Sequence, residues 1–238
     1  MLLFDPTYLL FMAPAFLLML FSTWYVKSAY KKWSKVRARS GLTGYEAAQR
    51  LIARAGLNGI QIQGAHGRLS DNYDPRTKIL HLSQDVAQNA SVASLAVAAH
   101  ELGHAQQDAE GYIPLRFRGA LVPVVNIGSY LGWILILGGL LLDYAGYALG
   151  LNLAWLGVVF FAGGAVFALA TLPVELNASG RARRLLAETG IISGPDEAGG
   201  VAAVLNAAAL TYIAALVSAL LQLLYYVMLV FGLGRRRR

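Results

Sequence analysis

Four long apolar runs constrain this chain most: Leu9–Val26, Leu121–Leu142, Leu151–Leu172 and Val201–Gly234. A helix rises about 1.5 Å per residue and the hydrocarbon core of a bilayer is about 30 Å thick. The first three runs each suit one crossing. The fourth would make roughly 50 Å of helix. Its start, to about Tyr212, is therefore expected to pack on a soluble region, and the remainder to cross. Charged residues are 14% of the 238, against about 25% in an ordinary soluble domain. The chain reads as a mainly α integral membrane protein with about four transmembrane helices.

Charge placement orients it. No Lys or Arg precedes Lys27, and Lys27, Lys31, Lys32, Lys35, Arg37 and Arg39 follow the first run. A cleaved signal peptide has its positive charge before the apolar stretch, so this run reads as an uncleaved anchor. Its N-terminus, with Asp5, is expected outside and its basic flank in the cytoplasm. Trp24, Tyr25, Tyr30 and Trp33 suit an interfacial belt. The link Asp143–Gly150 has no basic residue and reads as an outside loop. Apart from Arg235–Arg238, every Lys and Arg lies within 27–118 or 181–184, which places those segments on the cytoplasmic side. Four crossings that start outside also end outside, so the side of the Arg tail stays open. The net charge of +7 follows from this flanking of spans, and no nucleic-acid partner is expected. The absence of Cys excludes disulfides and thiolate ligands.

The segment from Ser40 to Arg118 reads as soluble. Thr43-Gly44-Tyr45-Glu46 is a capping-box pattern opening a short helix that Gly56 ends. Ile60 and Ile62 alternate with Gln61 and Gln63 as in a strand. Asp74-Pro75 marks a turn, and Lys78–Ser83 reads as a second strand. Ser91–Glu110 has helical spacing and contains His100-Glu101-Leu102-Gly103-His104. Residues four apart share one helix face, so both imidazoles can reach one metal ion. Glu101 flanks that face, where it can act as general base on a water. This H-E-x-x-H arrangement points to zinc-assisted hydrolysis. His100, His104, Ala93, Val97 and Gln107 form one stripe, and Gly103 leaves room for another backbone.

A catalytic zinc needs a third protein ligand. The candidates are His66, His81, Asp108 and Glu175. Glu110 occupies the position where a metzincin would place a third His. Asp108 can cap or be solvated as readily as ligate, and His81 sits on the second strand. Glu175 follows Pro173 and is expected at the start of a helix directly after the third span. Carboxylates are costly near a membrane boundary unless paired or coordinating, which favours Glu175. The competing reading is that it complements a helix N-terminus. Ser179, one turn later, can hydrogen-bond a ligand imidazole.

Several stretches carry a more specific resemblance. They are Asn72-Tyr73-Asp74-Pro75 with Leu82-Ser83, Val97 to Gln106 across the motif, Thr171 to Ser179, and Ala208-Ala209-Leu210-Thr211-Tyr212. In this order they resemble the YugP-like neutral zinc metallopeptidases of bacterial membranes. The resemblance implies a gluzincin-type membrane metalloendopeptidase with Glu175 as third ligand, in a bacterial plasma membrane. The chain is also similar to the broader HtpX and CAAX-prenyl-protease class. There a Glu-x-x-Ala-Asp pattern supplies the ligand and an Asp behind it; here Ser179 stands in that Asp position. Gly180 departs from the basic residue expected next.

The expected architecture is thus an anchor (1–30), an α+β zincin-like soluble region with H-E-x-x-H on a helix (40–118), two transmembrane helices (121–172), a third-ligand helix and loop (173–200), and a long helix ending in a span and Arg tail (201–238). His100, His104 and Glu175 would hold Zn²⁺, and Glu101 would serve as base. Tyr212 is a candidate oxyanion donor, or simply an interfacial Tyr. The Lys78–Ser83 strand is expected to pair with an extended substrate. The partners expected are the lipid bilayer and a polypeptide, membrane-associated proteins above all. Val92–Ala99 is too short to span, which favours a site at the membrane surface over an intramembrane, site-2-type protease. A channel finds little support, since Asp143, Asn126 and Gln222 are the only notable polar residues in the spans. A catalytically silent zinc-binding scaffold would leave Glu101 without a role.

Overall fold

A computed structural model describes residues 6–67 and 70–235. Asp5 and Arg236–Arg238 lie outside the described residues. The elements in chain order are α1 (Pro6–Trp33), α2 (Gly44–Arg54), β1 (Gln61–Ala65), β2 (Asn72–Asp74), β3 (Ile79–Ser83), α3 (Gln84–Gln88), α4 (Val92–Ala109), α5 (Ile113–Tyr144), α6 (Leu149–Glu188) and α7 (Gly194–Arg235). Among them α1, α5, α6 and α7 are long and apolar enough to cross a membrane. This is a mainly α membrane protein with a small α+β part.

The chain divides into two compact units. One holds Met1–Phe21, Phe117–Leu172 and Tyr212–Arg238. Its helices pack through small residues, because a bilayer offers apolar side chains no reason to associate and close van der Waals contact must hold them. Gly132 of α5 sits against the backbone of Gly157 and Phe161 on α6, and Gly139 sits against Gly150 and Ala154. Ile136, Ala154, Val158, Tyr225, Tyr226 and Val230 form its core. Ile127, Tyr130, Val159 and Leu169 are exposed, as lipid-facing side chains are.

The second unit holds Ser22–Arg116 and Pro173–Thr211. Its centre is α4, whose Ala93, Leu95, Ala96, Ala98, Ala99, Leu102 and Ala105 are buried. A helix apolar around most of its circumference has to be enclosed, and the alanines let neighbours come close. Ser91 caps α4 by accepting from the Ser94 amide. In α2 the capping box forms as expected: Thr43 Oγ1 accepts from the Glu46 amide, and Glu46 Oε2 accepts from the Thr43 amide. Leu51, Leu80, Leu82, Leu186 and Leu205 complete this core.

The sheet order is β1-β3-β2, with β1 parallel and β2 antiparallel to β3. Two expectations change here. The strand read from Lys78–Ser83 is β3, and it is paired on both sides, so it has no free edge for a substrate. The stretch around Asp74-Pro75 contains a short strand, β2, as well as a turn. Tyr30 and Trp33 also differ from the interfacial belt expected of them. Tyr30 belongs to the core, and Trp33 packs on it with its ring over Gly200.

The largest correction concerns α6. It runs unbroken through Pro173, so Glu175 lies inside a helix rather than at its start. Proline removes one ladder hydrogen bond and strains the preceding turn, at about 3 kcal/mol. Fully buried Val174, Ala178 and Ala182 offset this by anchoring the helix beyond it. With no helix terminus at Glu175, complementing one no longer explains its charge.

Candidate metal centre

The site is built from two helices of the second unit. His100 and His104 stand one turn apart on α4, with ring centroids 4.9 Å apart and planes at 83°. Glu175 faces them from α6 and is 2% exposed. One oxygen, Glu175 Oε2, lies 3.3 Å from His100 Nε2 and 3.4 Å from His104 Nε2. Ligands at about 2.0–2.1 Å around a tetrahedral ion are separated by about 3.3–3.4 Å. Two imidazole nitrogens and one carboxylate oxygen form a donor set that suits zinc, and the three ligand atoms all lie within 4.8 Å of one another. Among the described residues these three form the group that could hold a metal ion.

The close approach of the helices depends on Gly103. A Cβ there would overlap the carbonyl of Ala178. Glycine between the two histidines thus lets α6 bring Glu175 within reach.

Behind the ligands, Ser179 Oγ meets His100 Nδ1 at 3.2 Å. His104 Nδ1 meets Gln107 Oε1 at 3.0 Å. Gln107 was visible in the sequence only as a member of the His stripe. A Gln three residues after a ligand, on the face that must be buried, is the signal that marks it.

Glu101 is half-buried beside the ligands. Its Oε2 accepts from the Tyr73 amide of β2 at 3.0 Å. Burial pushes its carboxyl above the usual carboxylate range, against the opposing pull of His100 and His104. Tyr73 also donates from its phenol to Asp108 Oδ2 at 2.7 Å, and Lys78 Nζ meets the same oxygen. Asp108 therefore clamps β2 and the turn leading into β3 onto α4, and it is not in the ligand group. His66 and His81 are not in it either; they line an open cleft of about 550 Å³ together with Tyr73 and Asn72. Tyr212 is half-buried on α7, in the other unit.

Similarity to known proteins gives the family. Residues 8–231 match the family described as "Putative neutral zinc metallopeptidase". The chain belongs to that family. It is 43% identical over 204 residues, 86% of its own length and 88% of the relative's, to the "Putative membrane protease YugP" of Bacillus subtilis (strain 168). No solved structure matches it. Family membership and the donor set point to the same metal, and the four apolar helices fit the membrane location that the relative's name states.

Proposed function

We propose that this chain is a membrane-bound zinc-dependent metalloendopeptidase that cleaves polypeptides at the membrane surface. The convergence of His100, His104 and Glu175 beside Glu101 carries this reading. When bound there, zinc supplies Lewis acidity and makes water a competent nucleophile near neutral pH. His100 and His104 offer their Nε2 lone pairs, and Glu175 offers Oε2. Glu101 takes a proton from the attacking water as its oxygen bonds to the scissile carbonyl carbon. The C–N bond then breaks, and Glu101 returns the proton to the leaving nitrogen. The backbone amide of Tyr73 holds Glu101 in place.

Substrate binding is assigned to β2 in place of β3. The Tyr73 amide points away from β3, toward Glu101, so the outer edge of β2 is the one nearest the reacting groups. An extended segment entering by the cleft can pair with the part of this edge that Glu101 leaves open. Backbone pairing would then dominate, with shallow side-chain selectivity. The site is placed on the cytoplasmic face of a bacterial plasma membrane, because the basic residues flank the spans on that side.

Cleavage of an unstructured protein such as casein by detergent-purified wild type and Glu101→Gln tests this. Loss of a general base costs about 10²–10⁴-fold, so the variant should lose at least about 100-fold while keeping its zinc. Equal cleavage by both proteins would remove Glu101 from the mechanism. No cleavage by zinc-loaded wild type would favour the silent-scaffold reading.

A further inference from the structure

We propose that Gln107 is a positioning residue that fixes the tautomer of His104, through a relay of hydrogen bonds running from the buried interior out to Arg181. The proposal rests on the reading that His104 is a zinc ligand, and it explains how that imidazole is held ready.

Gln107 is fully buried, so its amide must find partners inside the protein. It has three. Oε1 faces His104 Nδ1 at 3.0 Å, and Nε2 donates to the Val174 carbonyl at 2.8 Å and to Asn177 Oδ1 at 2.9 Å. Amide oxygen and nitrogen are told apart by their surroundings. Here two independent groups give the same answer. The Val174 carbonyl can only accept, so the Gln107 NH₂ must face it. Arg181 can only donate, and its Nε donates to Asn177 Oδ1 at 2.7 Å. Asn177 therefore presents an oxygen, and that oxygen needs a second donor, the Gln107 NH₂.

With its NH₂ fixed, Gln107 can offer His104 only a carbonyl oxygen. His104 Nδ1 must then carry the hydrogen, which leaves Nε2 bare. Nε2 is the atom 3.4 Å from Glu175 Oε2. The relay thus selects the ring form whose lone pair points at the ligand group. Its outer end is anchored by both Glu110 oxygens, at 2.6 and 2.7 Å from the Arg181 guanidinium. His100 is held differently. Its Nδ1 meets the Ser179 hydroxyl, which can donate or accept and so selects neither ring form.

The test is zinc affinity, by competition with a chelator, on the detergent-purified full chain, with the melting temperature of each zinc-free form. Gln107→Met keeps the shape and removes the acceptor; it should weaken zinc about 10–100-fold. Asn177→Leu should weaken it less, and Asn177→Asp, which keeps an acceptor between the two donors, should restore most of the loss. A merely structural role would lower the zinc-free melting temperatures without this rescue of affinity, and that result would overturn the proposal. If Gln107→Met does not fold, the Asn177→Leu and Asn177→Asp pair decides in the same way. His104→Ala separates the two levels. If it loses zinc while Gln107→Met and Asn177→Leu bind like wild type, the relay alone is wrong. If His104→Ala itself binds like wild type, the ligand reading beneath the relay is wrong.

Discussion

Gly103 lies directly against the backbone of Ala178, the contact that brings Glu175 to the two histidines. Gly103→Ala should therefore act on stability and on metal together. Alanine is the better helix former by about 1 kcal/mol, but the added carbon forces α4 and α6 apart. A net destabilisation of about 1–2 kcal/mol is expected, with weaker zinc binding. Thermal unfolding in detergent and zinc content check it; a more stable variant with full zinc would show that the close approach is not needed.

Tyr73 ties the β2 edge to Glu101 by its amide and to Asp108 by its phenol. Burial, and then the hydrogen bond to Asp108, raise the phenol pKa, so it stays a donor across the working pH range. Asp108→Ala releases the clamp without touching the ligand group. Cleavage should fall about 10–100-fold, since small misplacements of reacting groups are costly, while zinc content stays at the wild-type level. Loss of zinc in this variant would place Asp108 among the ligands after all.

The Glu110–Arg181 pair sets a pH dependence. The hydrogen bond from Arg181 holds the Glu110 carboxyl below the usual carboxylate range. A depressed folded-state pKa contributes stability above the unfolded value, lost as pH falls through the folded one. Glu110 is more than half exposed, so screening limits the contribution to about 1 kcal/mol or less. Wild type should exceed Glu110→Gln in stability at neutral pH, and the gap should close as acid protonates Glu110. Denaturant unfolding at several pH values measures it; a gap that widens in acid would contradict the assignment.

The capping box of α2 offers a control away from the site. Thr43→Ala removes the side-chain acceptor for the Glu46 amide and should cost about 1 kcal/mol. Zinc content should not change. The same unfolding assay reads the stability, and elemental analysis reads the zinc.

What the sequence made legible is what local spacing encodes. The two histidines four apart, Thr43 with Glu46, and the apolar runs each depend on one segment, and each appears as read. Glu175 was legible as a residue but not in its setting. Pro173 signals a break, and only burial of Val174 and Ala178 against another helix carries α6 through it. Gln107 could be placed on a stripe, but its partners Val174 and Asn177 are about seventy residues away in sequence. The central position of β3 was hidden because β2 is three residues long and adjoins a turn signal. Tyr30 and Trp33 look interfacial by composition, and their core packing depends on partners such as Gly200 from the far end of the chain.

The most direct test of the three-ligand centre is zinc stoichiometry by elemental analysis on purified wild type, Glu101→Gln and Glu175→Ala. Wild type and Glu101→Gln should each carry about one zinc, and Glu175→Ala should lose it, because a catalytic site holds its metal with three protein ligands. A Glu175→Ala protein that keeps a full zinc would contradict the centre described here.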